Sequence, residues 1–369
     1  FNGMTANTWA EVKDTLSGDQ RRVKTEPFTN YNMLVVDQAL KNNSYFSLYN
    51  TNVYQPDKSF AANVTGSELK LTTRSNAFAV WGQGIVSQKY LQGVSPEFGY
   101  LYSIVAGKIS GRFTFELSHD VIDDKYDPND MGYLRHNNVF SQSLRLSYNV
   151  YKPAWIFLDS YNSFWFNHVQ LYNPRTFTEF SMGFRSRNTF SNFLTVWING
   201  SFIPVDKHDY YEPRVENCYY LAPPSYNLSL GVSPDYKKRF LIDWNLGYGW
   251  ASKYNIRSYS LSLRPRFRVS DKLMVIYNFK YDYDQNNIGY VNDSVGSENN
   301  PAIIFGARDI DTYENTFDAN YRFTNKSSLG FRLRHYWISL TYNQFYNLDT
   351  CLLYTSDAAD DEYNVWFAG

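Results

Sequence analysis

Apolar and polar residues alternate with a period of two through nearly the whole chain, and this alternation limits the possible folds more than any other feature. Between 240 and 250, one set of alternate positions holds Phe240, Ile242, Trp244, Leu246, Tyr248 and Trp250. The positions between them hold Leu241, Asp243, Asn245, Gly247 and Gly249. A period of two is typical of a β-strand whose two faces have different surroundings. We find no amphipathic helix of three turns, so the alternation predicts an all-β protein.

Sixteen segments have this strand pattern, and residues 1–28 have room for a further pair. The segments are 29–40, 43–54, 64–73, 77–90, 98–108, 111–119, 137–151, 155–171, 177–188, 192–202, 225–234, 240–251, 256–269, 273–284, 311–324 and 328–346. Short turns of Asn, Ser, Asp, Pro and Lys alternate with connections that are often long, such as 119–136, 203–224 and 285–310. Short turns at one end of the strands and longer loops at the other are typical of outer-membrane barrels.

The apolar residues are mostly aromatic, because 33 Tyr, 27 Phe and 9 Trp occur in 369 residues while the mean hydropathy is −0.48. Twisted open sheets rarely exceed about ten strands, whereas a closed barrel pairs every strand edge. We therefore predict an antiparallel up-and-down transmembrane β-barrel of at least sixteen strands, with a soluble all-β protein as the alternative. No run of 18 apolar residues predicts a membrane-spanning helix. The net charge of −1 gives no argument for a nucleic-acid partner.

The two ends of the chain have features of a partial sequence. The start, FNGMTANTWAEVKD, has neither an initiator Met nor a signal peptide. Residues 351–361, CLLYTSDAADD, interrupt the aromatic pattern and resemble a translated sequencing adapter, with an ordinary polar loop as the alternative. We predict a partial barrel over 1–350, a non-native segment over 351–361, and no assignment for 362–369. Cys218 and Cys351 show no metal-binding spacing and no disulfide framework.

Several stretches have a distinctive sequence: EPFTNYNMLVVDQALKNNSYFSLYNTNV (26–53), YDPNDMGYLRHNNVFSQSLRLSYNVYKP (126–153), LYNPRTFTEFSMGF (171–184), DYYEPR (209–214), PPSY (223–226), SLRPRFRVSDKLMVIYNF (262–279), NIGYV (287–291) and FRLRHYWISLTYNQFY (331–346). Together they resemble a Bacteroidota outer-membrane β-barrel family of unknown function. The resemblance implies an outer-membrane location in a Gram-negative bacterium, with the bilayer and lipopolysaccharide as partners. It also implies an upstream family-nine-type carbohydrate-binding domain, hence a possible glycan ligand, and closing strands beyond this sequence. It offers no catalytic residues to carry over, and protein partners are unknown.

Enzyme motifs are absent from the sequence: there is no zinc-binding helix, GxSxG elbow, P-loop or GxGxxG. We therefore predict no catalytic residue and no cofactor, and favour a protein that is not an enzyme. His335 lies in FRLRHYW, where it either contacts a ligand or hydrogen-bonds within the barrel wall. One loop is rich in acids that could bind calcium, although the EF-hand spacing is missing and a solvated surface loop is the simpler interpretation. These candidates are Asp120, Asp123, Asp124, Asp127 and Asp130.

Basic residues gather on or near strand ends next to the short turns, mostly on the face with small side chains. They are Arg145, Arg185, Arg187, Arg264, Arg266, Arg268, Arg322, Arg332 and Arg334. The loops predicted at the opposite ends are acidic, with Asp120 to Asp130, Asp206, Asp209, Glu212, Glu216, Asp293, Asp309 and Asp311. We hypothesise a pore with a basic inner half and an acidic outer mouth. The alternative is that arginines pair with acids and fill the wall of the lumen.

Together these features predict a channel, translocation or anchoring barrel, and the resemblance connects it with surface glycan handling. Two alternatives remain: a membrane-associated hydrolase whose catalytic residues lie in loops or in a missing domain, and a structural anchor with a plugged lumen.

Overall fold

The structure is a computed structural model that describes residues 1–15, 18–215, 218–294 and 302–348. These residues form β-strands, one 3-10 helix (Pro56–Lys58) and no α-helix. The strands are β1 (Asn2–Thr5), β2 (Thr8–Lys13), β3 (Gln20–Glu26), β4 (Thr29–Ala39), β5 (Tyr45–Gln55), β6 (Phe60–Thr72), β7 (Phe78–Leu91), β8 (Glu97–Lys108), β9 (Phe113–Ile122), β10 (Val139–Val150), β11 (Phe157–Leu171), β12 (Phe177–Phe190), β13 (Thr195–Ile203), β14 (Lys207–Asp209), β15 (Tyr220–Ala222), β16 (Ser225–Ser233), β17 (Phe240–Ala251), β18 (Arg257–Arg268), β19 (Leu273–Ser294), β20 (Ala302–Thr324) and β21 (Ser327–Asn347). Within the described ranges, no helix has the length and apolar content needed to cross a membrane.

Within these residues, seventeen strands belong to one large antiparallel sheet, and two hairpins, β2–β3 and β14–β15, stand apart from it. The sixteen predicted segments correspond to β4–β13 and β16–β21, and β1 is the seventeenth strand. The predicted all-β class and the number of strands are therefore confirmed. The pair expected within residues 1–28 is present as β2–β3.

The chain divides into two compact units: unit 1 is Phe1–Leu144 with Val169–Phe177, and unit 2 is Arg145–His168 with Thr178–Gly369. In unit 1, β1 pairs with β4, and β4 to β9 pair in chain order. In unit 2, β12, β13 and β16 to β21 also pair in chain order. Each unit therefore contains the antiparallel meander expected from the short turns.

Strand β17 shows how the alternation separates the two faces of unit 2. Leu246 is 48% exposed, and its register partner on β18 is Leu261. Asn245 pairs with Ser262, and Leu241 is 4% exposed. We call the side of Leu246 the aromatic face and the side of Asn245 the polar face. Because successive side chains on a strand point in opposite directions, one register fixes both faces.

The prediction of a long connection over 285–310 is wrong, because β19 and β20 continue as a hairpin with strands of 22 and 23 residues. The Asn-rich and Gly-containing sequence here reads as a turn, yet Ile288 pairs with Ala307 and Tyr290 with Phe305 across the hairpin. Register shifts near Asp284 and Tyr290 absorb the irregular sequence. The hairpin is therefore longer than β17 and β18, which have twelve residues each.

The described parts of the connection 204–224, which are 204–215 and 218–224, contain β14 and β15, and we call them the cap. Its residues pack on β20, where Ile303 and Phe305 are 0% and 2% exposed, to form a buried cluster with Cys218. Partly buried side chains complete this cluster: Val215, Tyr220, Ile288, Tyr290, Tyr346 and Leu348. Cys218 is disulfide-bonded, so the expectation of no disulfide is wrong at this position.

Candidate functional site

The polar face of unit 2 is made of cross-strand rows in which nearly every side chain is small or hydrophilic. One row runs through Arg185, Asn199, Ser229, Gly247, Ser260, Asp282 and Thr312. The next row runs through Arg187, Trp197, Gly231, Asn245, Ser262, Lys280 and Glu314. Such a surface is suited to contact with water, because polar groups lose free energy when they are removed from water without hydrogen-bond partners.

A trough of about 520 Å³ lies on this face. We call it the polar trough; its lining includes Trp165, Arg185, Asn199, Asn227, Ser229, Gly247, Gly249, Ser258, Ser260, Asp282, Asp284 and Thr312. The Trp165 indole lies over Gly183, where a Cβ atom would overlap the ring. Trp165 was not among the predicted site residues. The signal that identifies it is a Trp at a polar-face position on a strand whose neighbour carries a glycine. The glycine lets the ring lie against the sheet.

A second cavity of about 400 Å³ lies on the same face and contains Trp197, Asp243 and Arg264 in its lining. The Asp243 carboxylate accepts hydrogen bonds from Ser233 Oγ at 2.7 Å and from Tyr236 Oη at 2.9 Å. Trp197 lies over Gly231 in the same way as Trp165 lies over Gly183. Two indoles therefore lie on glycines along the polar face.

Two of the predicted basic residues on β21 form ion pairs with β20. Arg332 donates from Nε to Asp318 Oδ1 at 2.6 Å and from Nη2 to Asp318 Oδ2 at 3.3 Å. Arg334 donates from Nε to Glu314 Oε1 at 2.9 Å. The contacts of Arg332 and Arg334 therefore match the alternative in which arginines pair with acids along the wall.

The arginines on β12 and β18 differ in their contacts. Arg185 donates to Asn199 at 2.9 Å, and Arg187 lies 3.8 Å from Asp159. The guanidinium of Arg266 lies 4.5 Å from the centre of the Tyr236 ring. Cationic groups stack favourably on aromatic faces.

The remaining predicted arginines lie on exposed surface. Arg268 and Arg322 line a cavity of about 480 Å³ together with Lys272 and Asp271. Arg145 is exposed on β10. The predicted set is therefore divided among several local environments rather than gathered at one point.

The five candidate calcium ligands are not brought together. Lys89 Nζ lies 2.6 Å from Asp127 and 3.1 Å from Asp130, so an ammonium group occupies the space between these carboxylates. Asp123 accepts from the backbone of Lys125, while Asp124 accepts from Asn173 and Asp120 from Ser103. Over the described part of the chain, no three His, Cys, Asp or Glu residues are grouped to hold a metal ion. Burial raises the pKa of Asp127, but the hydrogen bond and charge of Lys89 and the hydrogen bonds from Asn129 together lower it below its usual value.

The acidic residues that the sequence predicted at the outer mouth of a pore lie in other environments. Asp311 accepts from Tyr281 Oη at 2.7 Å, and Asp309 accepts from Tyr283 Oη at 3.3 Å. Asp311 also pairs in register with Tyr283, which places it on the aromatic face and not on the polar one. Glu216 and the side chain of Asp293 lie outside what the structure describes.

The acids of the cap are held in local contacts. Lys207 Nζ lies 3.3 Å from Asp209 and 3.4 Å from Glu179. Asp209 also accepts from the backbone amides of Tyr211 and Glu212. Burial raises the pKa of Asp209, but the charge of Lys207 and these hydrogen bonds together lower it. Burial lowers the pKa of His208, whose ring stacks on Tyr219 at 4.7 Å.

The aromatic face carries two runs of ring contacts, one across β16 to β19 and one across β19 to β21. Ring centroids 4.7–6.3 Å apart join Tyr226 to Trp250, Trp250 to Tyr248, Tyr248 to Tyr259, Tyr259 to Tyr283, Tyr281 to Tyr313 and Tyr313 to Trp337. His335 lies on this face, because it pairs in register with Asn315, and its Nδ1 is 3.5 Å from the Asn315 amide nitrogen. This contact agrees with the interpretation of His335 as a wall residue.

The model of one protein family, described as a domain of unknown function (DUF5916), matches residues 1–368. No curated protein and no solved structure matches the chain.

Proposed function

The chain belongs to the DUF5916 family, and we propose that its sheet is the wall of an outer-membrane β-barrel that acts as a channel, translocation or anchoring component. The polar face lines a water-filled lumen, and the aromatic face contacts lipid. The connection with surface glycan handling is part of this proposal and rests on the sequence resemblance. The observation that carries the proposal is the separation of the two faces in unit 2.

The aromatic face supports contact with lipid. Its exposed apolar side chains include Ile242, Leu246, Tyr248, Phe267, Phe317, Leu333 and Trp337. In water, so large an apolar surface would drive association or aggregation. Tyr and Trp concentrate at membrane interfaces, where the ring contacts hydrocarbon and its polar atom contacts water.

The polar face supports a hydrated lumen. Arg187, Lys280 and Glu314 stand in one cross-strand row, and charged side chains of this kind are accommodated inside barrels. The twelve residues of β17 and of β18 exceed the nine to eleven that a tilted strand needs to cross a bilayer. The strands are therefore long enough for the proposed role.

The test uses the full chain folded into phospholipid vesicles. A folded barrel runs faster on a gel before boiling than after it, because it resists detergent unfolding until heated. Planar-bilayer recording then separates the classes: stepwise conductance supports a channel, whereas a heat-modifiable protein without conductance supports an anchor with a plugged lumen. A protein that remains outside the vesicles and is not heat-modifiable would refute the membrane proposal. Among the described residues, no observation favours the hydrolase alternative.

A further inference from the structure

We propose that the polar trough is a binding site for a neutral polyhydroxylated solute of one or two sugar rings, with Trp165 as the stacking platform and Asp282 and Asp284 as hydrogen-bond acceptors. This inference rests on the proposed function only in requiring that the polar face be open to water.

The size of the trough fits such a solute. Its volume of about 520 Å³ lies within the roughly 300–1,000 Å³ of ordinary ligand pockets. Its walls come from successive strands of one regular sheet, β12 to β20, to which β11 adds Trp165. Sites built on strands hold their side chains in better-defined positions than sites on loops.

The platform is an indole that the sheet holds in place. Gly183 and Trp165 are in contact, and any side chain at 183 would displace the ring. A ring lying against a glycine keeps its opposite surface available to a ligand. The C–H groups of a sugar pack on such a ring, because they are apolar and its face is electron-rich.

The remaining lining suits hydroxyl groups rather than a net charge. Arg185 already donates to Asn199 at 2.9 Å, and Asp282 lies 2.6 Å from Lys280. With Lys280 beside Asp282, the charges at the trough balance, since Arg185 and Lys280 are positive and Asp282 and Asp284 are negative. Asn227, Ser229, Ser258 and Ser260 add neutral donors and acceptors between them. A carboxylate that keeps its partner still accepts hydrogen bonds from sugar hydroxyls through its second oxygen.

Trp165 could instead serve only to cover Gly183 and strengthen the sheet, as aromatic residues do opposite glycines elsewhere. That role would change stability and leave ligand affinity unaffected. Affinity for a sugar is therefore the measurement that separates the two roles.

The experiment is saturation-transfer difference NMR on the full chain in detergent micelles. The probes are glucose, galactose, mannose, maltose and cellobiose, with glycylglycine as a zwitterion of similar size. We expect transfer to the C–H protons of at least one sugar. We also expect at least tenfold weaker binding in Trp165→Ala and in the double variant Asp282→Asn/Asp284→Asn. Trp250→Phe, on the aromatic face, and Asp235→Asn, in the turn before β17, are the matched controls and should bind as the unchanged protein does.

Circular dichroism of each variant shows whether the strands have formed, and the double Asn variant tests the site if Trp165→Ala does not fold. The inference is overturned if no sugar shows transfer, if only glycylglycine does, or if folded variants keep full affinity. Because the measurement needs no bilayer, a protein that forms a heat-modifiable barrel but binds no sugar refutes this inference alone. A protein that binds sugar but never enters a membrane refutes the proposed function alone.

Discussion

Asn245 and Leu246 are consecutive residues of β17, yet Asn245 lines a cavity on the polar face while Leu246 is 48% exposed on the opposite, aromatic face. Adjacent positions in one strand thus have opposite surroundings under the membrane proposal: water on one side and hydrocarbon on the other.

Leu246→Arg should therefore destabilise the protein in a bilayer, because the guanidinium would face lipid. A cationic residue at the middle of the lipid face of a barrel costs about 2–4 kcal/mol. Asn245→Arg is the matched control, since it adds the same group one residue away on the polar face. Urea unfolding in vesicles measures the free energy of unfolding of both variants. Equal effects of the two substitutions would contradict the assignment of faces.

The bidentate pair between Arg332 and Asp318 holds one positive charge in place. In a conducting channel, Asp318→Asn should shift the reversal potential toward anion preference, because Arg332 loses its neutralising partner. Arg332→Gln should shift it toward cation preference. Bilayer recordings under a salt gradient measure the shift, and identical selectivity in both variants would show that this pair does not face the conducting path.

Gly231 lies beneath the Trp197 ring, so Gly231→Ala forces the indole away from the sheet. Overpacking of this kind costs about 1–3 kcal/mol. Gly84→Ala is the control, because a Cβ at Gly84 would meet nothing within 4 Å. Denaturant unfolding measures the free energy of unfolding of the two variants. A decrease in Gly84→Ala as large as that in Gly231→Ala would contradict the close Trp197 contact.

Phe305 is 2% exposed beneath the cap, and Phe305→Ala would leave a cavity in the cluster around Cys218. Loss of a buried phenylalanine costs about 3–5 kcal/mol. We expect faster hydrogen exchange in 204–215 and 218–224, with β17 and β18 unchanged. Val205→Ala, at a cap position that is 44% exposed, should leave exchange nearly unaltered. Uniform acceleration over the whole sheet would mean that the cap is not a separate unit of stability.

The cap should loosen on acidification. The lowered pKa of His208 means that protonation favours the unfolded cap, so stability present above about pH 6.5 declines as the pH falls below it. The lowered pKa of Asp209 means that its contribution is present above about pH 4 and is lost at lower pH. Asp206, whose charge favours protonated His208, opposes the first effect.

Hydrogen exchange of the cap between pH 7.5 and about pH 2 should therefore show two steps. His208→Phe should remove the upper step, and Asp209→Asn should remove the lower one. A cap whose exchange, corrected for the intrinsic pH dependence, stays constant across this range would contradict both assignments.

The sequence predicted the sheet well because its information is local. Alternation such as that of Tyr259, Leu261 and Leu263 on β18 needs no distant partner to be recognised, and the register with β17 follows it. The prediction of strands failed where the two faces of a strand carry similar residues. The segment NIGYV (287–291) looked like a loop, and only the opposite strand, with Phe305 and Ala307, supplies the apolar partners.

The candidate site was predicted less well, because a site depends on which strands become neighbours. The calcium interpretation of the Asp127 loop missed Lys89, which is distant in sequence but supplies the charge between two acids. Asp311 was assigned to an outer mouth, whereas the extended β20 carries it to the aromatic face beside Tyr281. Trp165 was overlooked because its importance depends on Gly183, a residue on another strand.

At roughly 3.3 Å per residue, the hairpin of β19 and β20 is about 70 Å long, while β17 and β18 measure about 40 Å. With β17 and β18 crossing the bilayer as proposed, close to half of the hairpin extends beyond it, and the cap packs on this extending part through Ile303 and Phe305. A large molecule that approaches this side of the membrane would then contact the extending hairpin and the cap before it reaches the lipid surface.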